Sequence, residues 1–200
     1  RAERFLVWSG GQEGMGNWRT SLIEILDLAV ATDRTLVLPC VAAGRIKFGC
    51  GIDTLAMSSY IDIDRLCRTY GISIRELTTF RKTNNRTLGI ASRCLIAANL
   101  TLQPSPHIDH HCAQLIGHSV PAIPISKTGH MSASEFASET RHDKVVILMW
   151  YRSGAITSEG QTKDLAHSNG KSLRLHTSGN LVNNHAVDFA PSCYIEADRI

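Results

Sequence analysis

The sequence predicts an α/β fold, and three observations carry the prediction. Two short apolar runs, Arg4-Phe5-Leu6-Val7-Trp8 and Thr35-Leu36-Val37-Leu38, flank a segment with helical periodicity. A third apolar run, residues 145–151, has the length of a strand and falls far short of the roughly 18 residues a membrane-spanning helix needs. The 200 residues are 43% hydrophobic and 20% charged, which gives the chain enough apolar mass for a packed core.

The first run leads into Ser9-Gly10-Gly11 and reads as a buried strand followed by a turn. Trp18, Leu22, Ile25, Leu26 and Ala29 then recur at i, i+4, i+7, i+8 and i+11, with Arg19, Glu24 and Asp27 off that stripe. This predicts an amphipathic helix with Asn17 at its N-cap. Residues 35–38 form the next strand, closed by Pro39. Two buried strands joined through a helix by short loops imply a parallel, right-handed crossover. Residues 73–80 suit a short helix, and residues 189–200 suit another, with Pro191 in its first turn. Residues 145–151 are apolar on both faces, as a central parallel strand requires. Residues 126–144 and 152–171 are polar and rich in Ser, Thr, Gly and His, and read as surface excursions of one domain spanning residues 1–200.

Twenty-one basic against 18 acidic residues give a net charge of +3 spread along the chain, with no basic stripe. Neither nucleic acid nor a membrane surface is an expected partner. Six cysteines occur without a C-x-x-C pair, which disfavours a zinc ribbon or thioredoxin-type site and leaves the pairing open. The even cysteine count, with the sequons Asn85-Arg86-Thr87 and Asn99-Leu100-Thr101, points to the secretory pathway. The chain begins at Arg1, so any signal peptide or anchor is expected upstream of it.

The segment from residue 10 to residue 17 is the candidate functional site. A glycine-rich turn between a strand and a helix N-terminus turns backbone N–H groups and the positive end of the helix dipole toward its contents, which suits a phosphate. Gly10, Gly11, Gly14 and Gly16 supply the backbone freedom. The spacing is neither G-x-G-x-x-G nor G-x-x-x-x-G-K-[ST], and the second strand ends in Pro39-Cys40 where a nicotinamide site carries an acidic residue. Those two nucleotide sites are disfavoured.

Gly14-Met15-Gly16-Asn17-Trp18-Arg19, then the apolar helix, then Asp33-Arg34-Thr35-Leu36-Val37-Leu38-Pro39, resembles the opening of the GDP-fucose protein O-fucosyltransferases. Residues 59–66, followed by Ile72-Ser73-Ile74-Arg75-Glu76-Leu77, resemble that family's next block, where an Ile-Ser-x-x-Glu-Phe helix stands. The resemblance implies a GT-B fold of two facing Rossmann-like domains and a metal-independent, inverting transfer of fucose from GDP-fucose to a hydroxyl of a protein or glycan acceptor. It places Gly14, Met15, Gly16 and Asn17 on the donor-facing loop and extends to Arg19. It also implies residence in the endoplasmic reticulum or Golgi lumen. The family's second domain opens with a strand ending in His-x-Arg. No His-x-Arg occurs in these 200 residues, so the chain is expected to be the N-terminal half only, with the donor-binding domain outside it and the isolated half inactive.

Glu13, beside the donor loop, is the candidate base for the acceptor hydroxyl. Asp62-Ile63-Asp64 is a D-x-D; a metal-dependent sugar transfer using Asp62 and Asp64 is one alternative, although alternation with Ile61 reads as a half-exposed turn. His107, Asp109, His110, His111, Cys112 and His118 form the densest group of metal-ligating residue types. Pro104 and Pro106 just before them favour a polar loop over a metal site. A non-catalytic scaffold that binds a protein or glycan is the alternative from another class.

Overall fold

The computed structural model describes residues 3–9, 15–42, 45–46, 50–84, 92–97, 106–116, 119–151, 153–157 and 194–195. In chain order the elements are β1 (Phe5–Ser9), α1 (Met15–Thr32), β2 (Thr35–Leu38), β3 (Cys40–Ala42), β4 (Arg45–Ile46), β5 (Leu55–Ala56), α2 (Ile63–Tyr70), β6 (Ile74–Glu76) and α3 (Leu77–Asn84). They continue as β7 (Ser92–Ile96), α4 (Pro106–Ile116), β8 (Ala122–Pro124), β9 (Met131–Ser132), α5 (Ala133–Glu139), β10 (Val145–Met149), β11 (Ile156–Thr157) and β12 (Tyr194–Ile195).

Seven strands make one sheet in the order β12-β6-β2-β1-β10-β7-β8, with each pairing parallel. The expected β1-helix-β2 unit is present, and β10 sits between β1 and β7 as the central strand that its two-sided apolar sequence requires. Every residue of β1, β2 and β10 is buried.

Alternation along the strands divides the core in two. Leu6, Trp8, Leu36, Leu38, Val146 and Leu148 pack with Trp18, Leu22, Ile25, Leu26 and Ala29 of α1, with Ile63 and Cys67 of α2 and with Phe136 of α5. Phe5, Val7, Val37, Val145, Ile147 and Met149 face Leu77 and Phe80 of α3 and Ile108, Cys112 and Leu115 of α4. The result is a three-layer α/β/α arrangement with helices on both faces of a parallel sheet, consistent with a Rossmann-like fold.

Several sequence expectations give way to tertiary pairing. The helix expected over residues 73–80 is split, because Leu36 and Val37 of β2 pair with Ile74 and Arg75 and draw Ile74–Glu76 into the sheet before α3 begins at Leu77. The corresponding Ile-Ser-x-x-Glu stretch of the resemblance is therefore a strand end, where buried Glu76 accepts a hydrogen bond from Ser58 N at 3.0 Å. Residues 126–144 are no mere excursion, since α5 starts there in a complete capping box between Ser132 and Glu135. Tyr194 and Ile195, expected in a helix, pair with Ile74 and Arg75 as the strand β12; the rest of residues 189–200 lies outside the described residues.

Cys40 pairs with Cys50 and Cys94 with Cys112, and Cys67 is a buried thiol outside both bridges. The second bridge ties α4 to β7. No helix among the described residues is long and apolar enough to cross a membrane.

Candidate functional site

In parallel α/β sheets, ligands occupy the crevice beyond the carboxyl ends of the strands, where the strand order reverses. Here β2 and β6 lie on one side of β1, and β10, β7 and β8 on the other. The carboxyl ends of β1, β10 and β7 are aligned, because Trp150 N bonds Ser9 O at 3.2 Å and Ala97 N bonds Met149 O at 3.0 Å, one rung past the strands.

The loop leaving β1 opens at this edge. Glu13, Gly14 and the preceding glycines lie outside the described residues. Met15, Gly16 and Asn17 are brought together in the first turn of α1, so Asn17 is the helix's third residue and not its N-cap. An α-helix leaves its first four N–H groups without intrahelical acceptors. No acidic residue stands in that first turn to offset its positive dipole end. Arg19 follows on an exposed face of α1. Trp8 and Trp18, which bracket the loop in sequence, are both buried, and neither indole Nε1 has a hydrogen-bond partner among the described residues.

The chain leaving β10 is fixed by a residue the sequence pattern assigned to solvent. Glu24, in the middle of α1, accepts from Tyr151 Oη at 2.8 Å, Ser153 Oγ at 2.6 Å and Gly154 N at 2.8 Å. One carboxylate thus satisfies three donors and binds Tyr151, Ser153 and Gly154 to α1. Trp150, just before them, has φ +53°, a left-handed conformation that is a rare and costly one for a bulky residue. A polar-tipped Tyr151 closing an apolar run was the one sequence signal for this clamp.

The opposite edge of the sheet is also polar. A cleft of about 410 Å³ is lined by Glu3, Arg4, Asp33, Arg34, Thr35 and Tyr70 among others. Its charged side chains are engaged by structural partners. Arg34 is buried and donates to Phe5 O at 3.2 Å, Thr140 O at 2.6 Å and Asp143 O at 2.9 Å. Burial first, and then neighbouring Arg4, push the Arg34 guanidinium down to about 10, against the opposing pull of Asp143. Arg4 bonds Thr32 O at 2.7 Å and so caps the C-terminal end of α1, while Glu3 accepts from Thr35 Oγ1 and Arg75. This cleft lies at the amino ends of β1 and β2, away from the edge where α/β folds bind ligands, and it is a structural lock.

The D-x-D has a structural role of its own. Asp62 is the N-cap of α2, its Oδ1 accepting from Arg65 N at 2.9 Å, and Ile63 is buried, so the expected half-exposed turn is a helix start. The histidine-rich segment is not a loop either. Pro106 opens α4, a position where its missing N–H costs nothing, and His107, Asp109, His110, His111 and Cys112 all lie on that helix. His118 and both sequons, which start at Asn85 and Asn99, lie outside the described residues.

Compared with known proteins, the chain matches no family model, no curated protein and no solved structure.

Proposed function

We propose that these residues form one wall of a sugar-nucleotide site, in an enzyme of GT-B type that transfers fucose from GDP-fucose to a hydroxyl of a protein or glycan acceptor. The observation that carries this reading is the placement of Met15-Gly16-Asn17, the core of the sequence resemblance, in the first turn of α1 at the carboxyl edge of a parallel sheet. The two disulfides support residence in the oxidising lumen of the secretory pathway.

In this reading the N–H groups at the start of α1 bind the diphosphate, and Arg19 adds positive charge one turn further on. Glu13 takes the proton of the acceptor hydroxyl as its oxygen bonds to the anomeric carbon, and the bond to GDP breaks on the opposite face, inverting the centre. No metal enters the transfer. The Glu24 clamp keeps Tyr151 and Gly154 against α1 and so maintains the shape of the cleft's rim.

Calorimetric titration of GDP and GDP-fucose into the full-length protein tests the reading. Binding is expected, with Asn17→Ala weakening it at least tenfold. Glu13→Gln is expected to lower kcat while leaving donor affinity near wild type. If neither GDP nor GDP-fucose binds the wild-type protein, the reading fails and a scaffold that binds protein or glycan takes its place.

A further inference from the structure

Folding the histidine-rich segment into α4 gathers three imidazoles and an amide into one network. His107 and His111, at i and i+4, bring their Nε2 atoms to 3.1 Å, and the rings meet edge to face with centroids 4.4 Å apart at 80°. The His110 ring centroid lies 6.2 Å from that of His111. Gln114 joins these two, bonding His111 and placing its Nε2 2.9 Å from His110 Nε2.

The network suits rings that carry no extra proton. An amide nitrogen only donates, so His110 Nε2 accepts from Gln114 and carries no proton itself. Between His107 and His111 one Nε2 donates to the lone pair of the other, so protonating both rings sets two N–H groups and two charges against each other. His107 also stands in the first turn of α4, at the positive end of the helix dipole, where a cation is disfavoured.

We propose that His107, His110 and His111 form an acid-sensitive latch on α4, in which proton uptake on mild acidification breaks these contacts and loosens the start of the helix from the sheet. Imidazole is the side chain whose ordinary titration falls between about pH 5 and 8. Neighbouring charges do not offset the added ones. Asp109 is the carboxylate of α4, but it is engaged by Ala122 N at 2.7 Å and, one or two positions from each histidine, lies on another face of the helix. Of the elements packed against α4, α3 carries Arg81 and Lys82, both cationic, and β8 carries no charged residue. Arg93 of β7 is paired with Glu139 and Asp143.

Burial first, and then His107 and His110, hold His111 below the usual imidazole range, against the opposing effect of its bond with Gln114. A ring held below its unfolded value of 6.5 binds fewer protons folded than unfolded. Its stabilisation is therefore full above that pH and is lost as the pH falls toward the lower folded value. Ile108, Cys112 and Leu115 anchor α4 in the core, and Cys94–Cys112 fastens it to β7, so the loosening is confined to the first turns. The latch lies on the face of the sheet opposite α1, separate from the proposed donor loop.

Hydrogen–deuterium exchange of the full-length protein at about pH 7.5 and about pH 5.5, corrected for the intrinsic pH dependence of exchange, tests the proposal. The opening constant of the peptide covering α4 is expected to rise about threefold or more at the lower pH, with that of α1 unchanged. The rise is expected to vanish in the His107→Gln/His110→Gln/His111→Gln variant and to persist in His142→Gln, which lies outside α4. Equal opening of α4 at both pH values in wild type, or an undiminished rise in the triple variant, overturns the proposal. NMR titration of the wild-type imidazoles needs no substitution: His111 is expected to protonate at lower pH than histidine in an unstructured peptide, and protonation at or above that pH also overturns it.

Discussion

Tyr151 and Glu24 are 127 positions apart in sequence and 2.8 Å apart in space, the phenol hydroxyl donating to a carboxylate in the middle of α1. Tyr151 is 1% exposed, so this hydroxyl has no water to replace the bond. Removal of Glu24 leaves Tyr151 Oη, Ser153 Oγ and Gly154 N without their acceptor. Glu24→Ala is expected to destabilise the fold by about 2 kcal/mol, from one buried donor, one half-buried donor and one exposed donor. A double-mutant cycle with Tyr151→Phe is expected to give a coupling of about 1 kcal/mol or more by urea denaturation. Additivity within error sinks the clamp.

The left-handed backbone at Trp150 makes a prediction independent of the side chain it carries. Both Trp150→Ala and Trp150→Gly lose the indole, but only glycine adopts φ +53° without strain. Trp150→Gly is therefore expected to be the more stable of the two by about 1 kcal/mol. Equal stability, or the reverse order, means the turn does not hold this conformation in solution.

Arg34 joins the carbonyl of Phe5 on β1 to those of Thr140 and Asp143 in the turn after α5, two stretches more than 130 positions apart in sequence. Arg34→Met fills similar space and removes three hydrogen bonds, of which the one to Thr140 O is partly offset by Asp143 N on the same oxygen, with an expected cost of about 2 to 3 kcal/mol. Arg34→Lys recovers only part of this, because a point charge cannot span three acceptors as a planar fork does. Chemical denaturation of the two variants gives the comparison.

Cys94 and Cys112 close a loop across 18 positions, for which the loss of unfolded-state entropy amounts to about 3 kcal/mol. The Cys94→Ala/Cys112→Ala variant is expected to lose about that much stability. Non-reducing peptide mapping should recover the Cys40–Cys50 and Cys94–Cys112 pairs. The buried Cys67 thiol should react with a thiol reagent only after unfolding. Labelling of Cys67 at rates comparable to an exposed thiol in the native protein contradicts its placement on the buried face of α2.

At the start of α5, the backbone and hydroxyl bonds from Ser132 hold the Glu135 carboxyl below its usual range. A carboxyl depressed in the folded state contributes stability above its unfolded pKa of about 4.5 and loses it as pH falls through the lower folded value. Ser132→Ala is expected to cost about 1 kcal/mol at neutral pH from the lost cap, and to show a shallower loss of stability than wild type below pH 4.5. Parallel acid titrations of the two proteins decide it.

The sequence by itself determined the elements whose burial pattern is local. The stripe from Trp18 to Ala29 can only be one face of a helix, and the apolar runs of β1, β2 and β10 can only be strands covered on both sides, which is enough for a parallel α/β class. The glycines before Met15 marked the passage from β1 to α1, because a change from strand to helix is written in contiguous residues. Only the tertiary structure decided the rest. Ile74–Glu76 became a strand because β2 offered it hydrogen bonds, Glu24 became a clamp because the turn after β10 lies against α1, and Arg34 became a lock because three distant carbonyls converge on it. Cysteine pairing and the meeting of His107 with His111 belong to the same class. The first needs strand and helix docked across the sheet, and the second needs α4 to be a helix, which the prolines before it made look like a loop. A period is a property of neighbours in sequence, whereas a buried polar contact is a property of neighbours in space, and the chain's chemistry rests on the second.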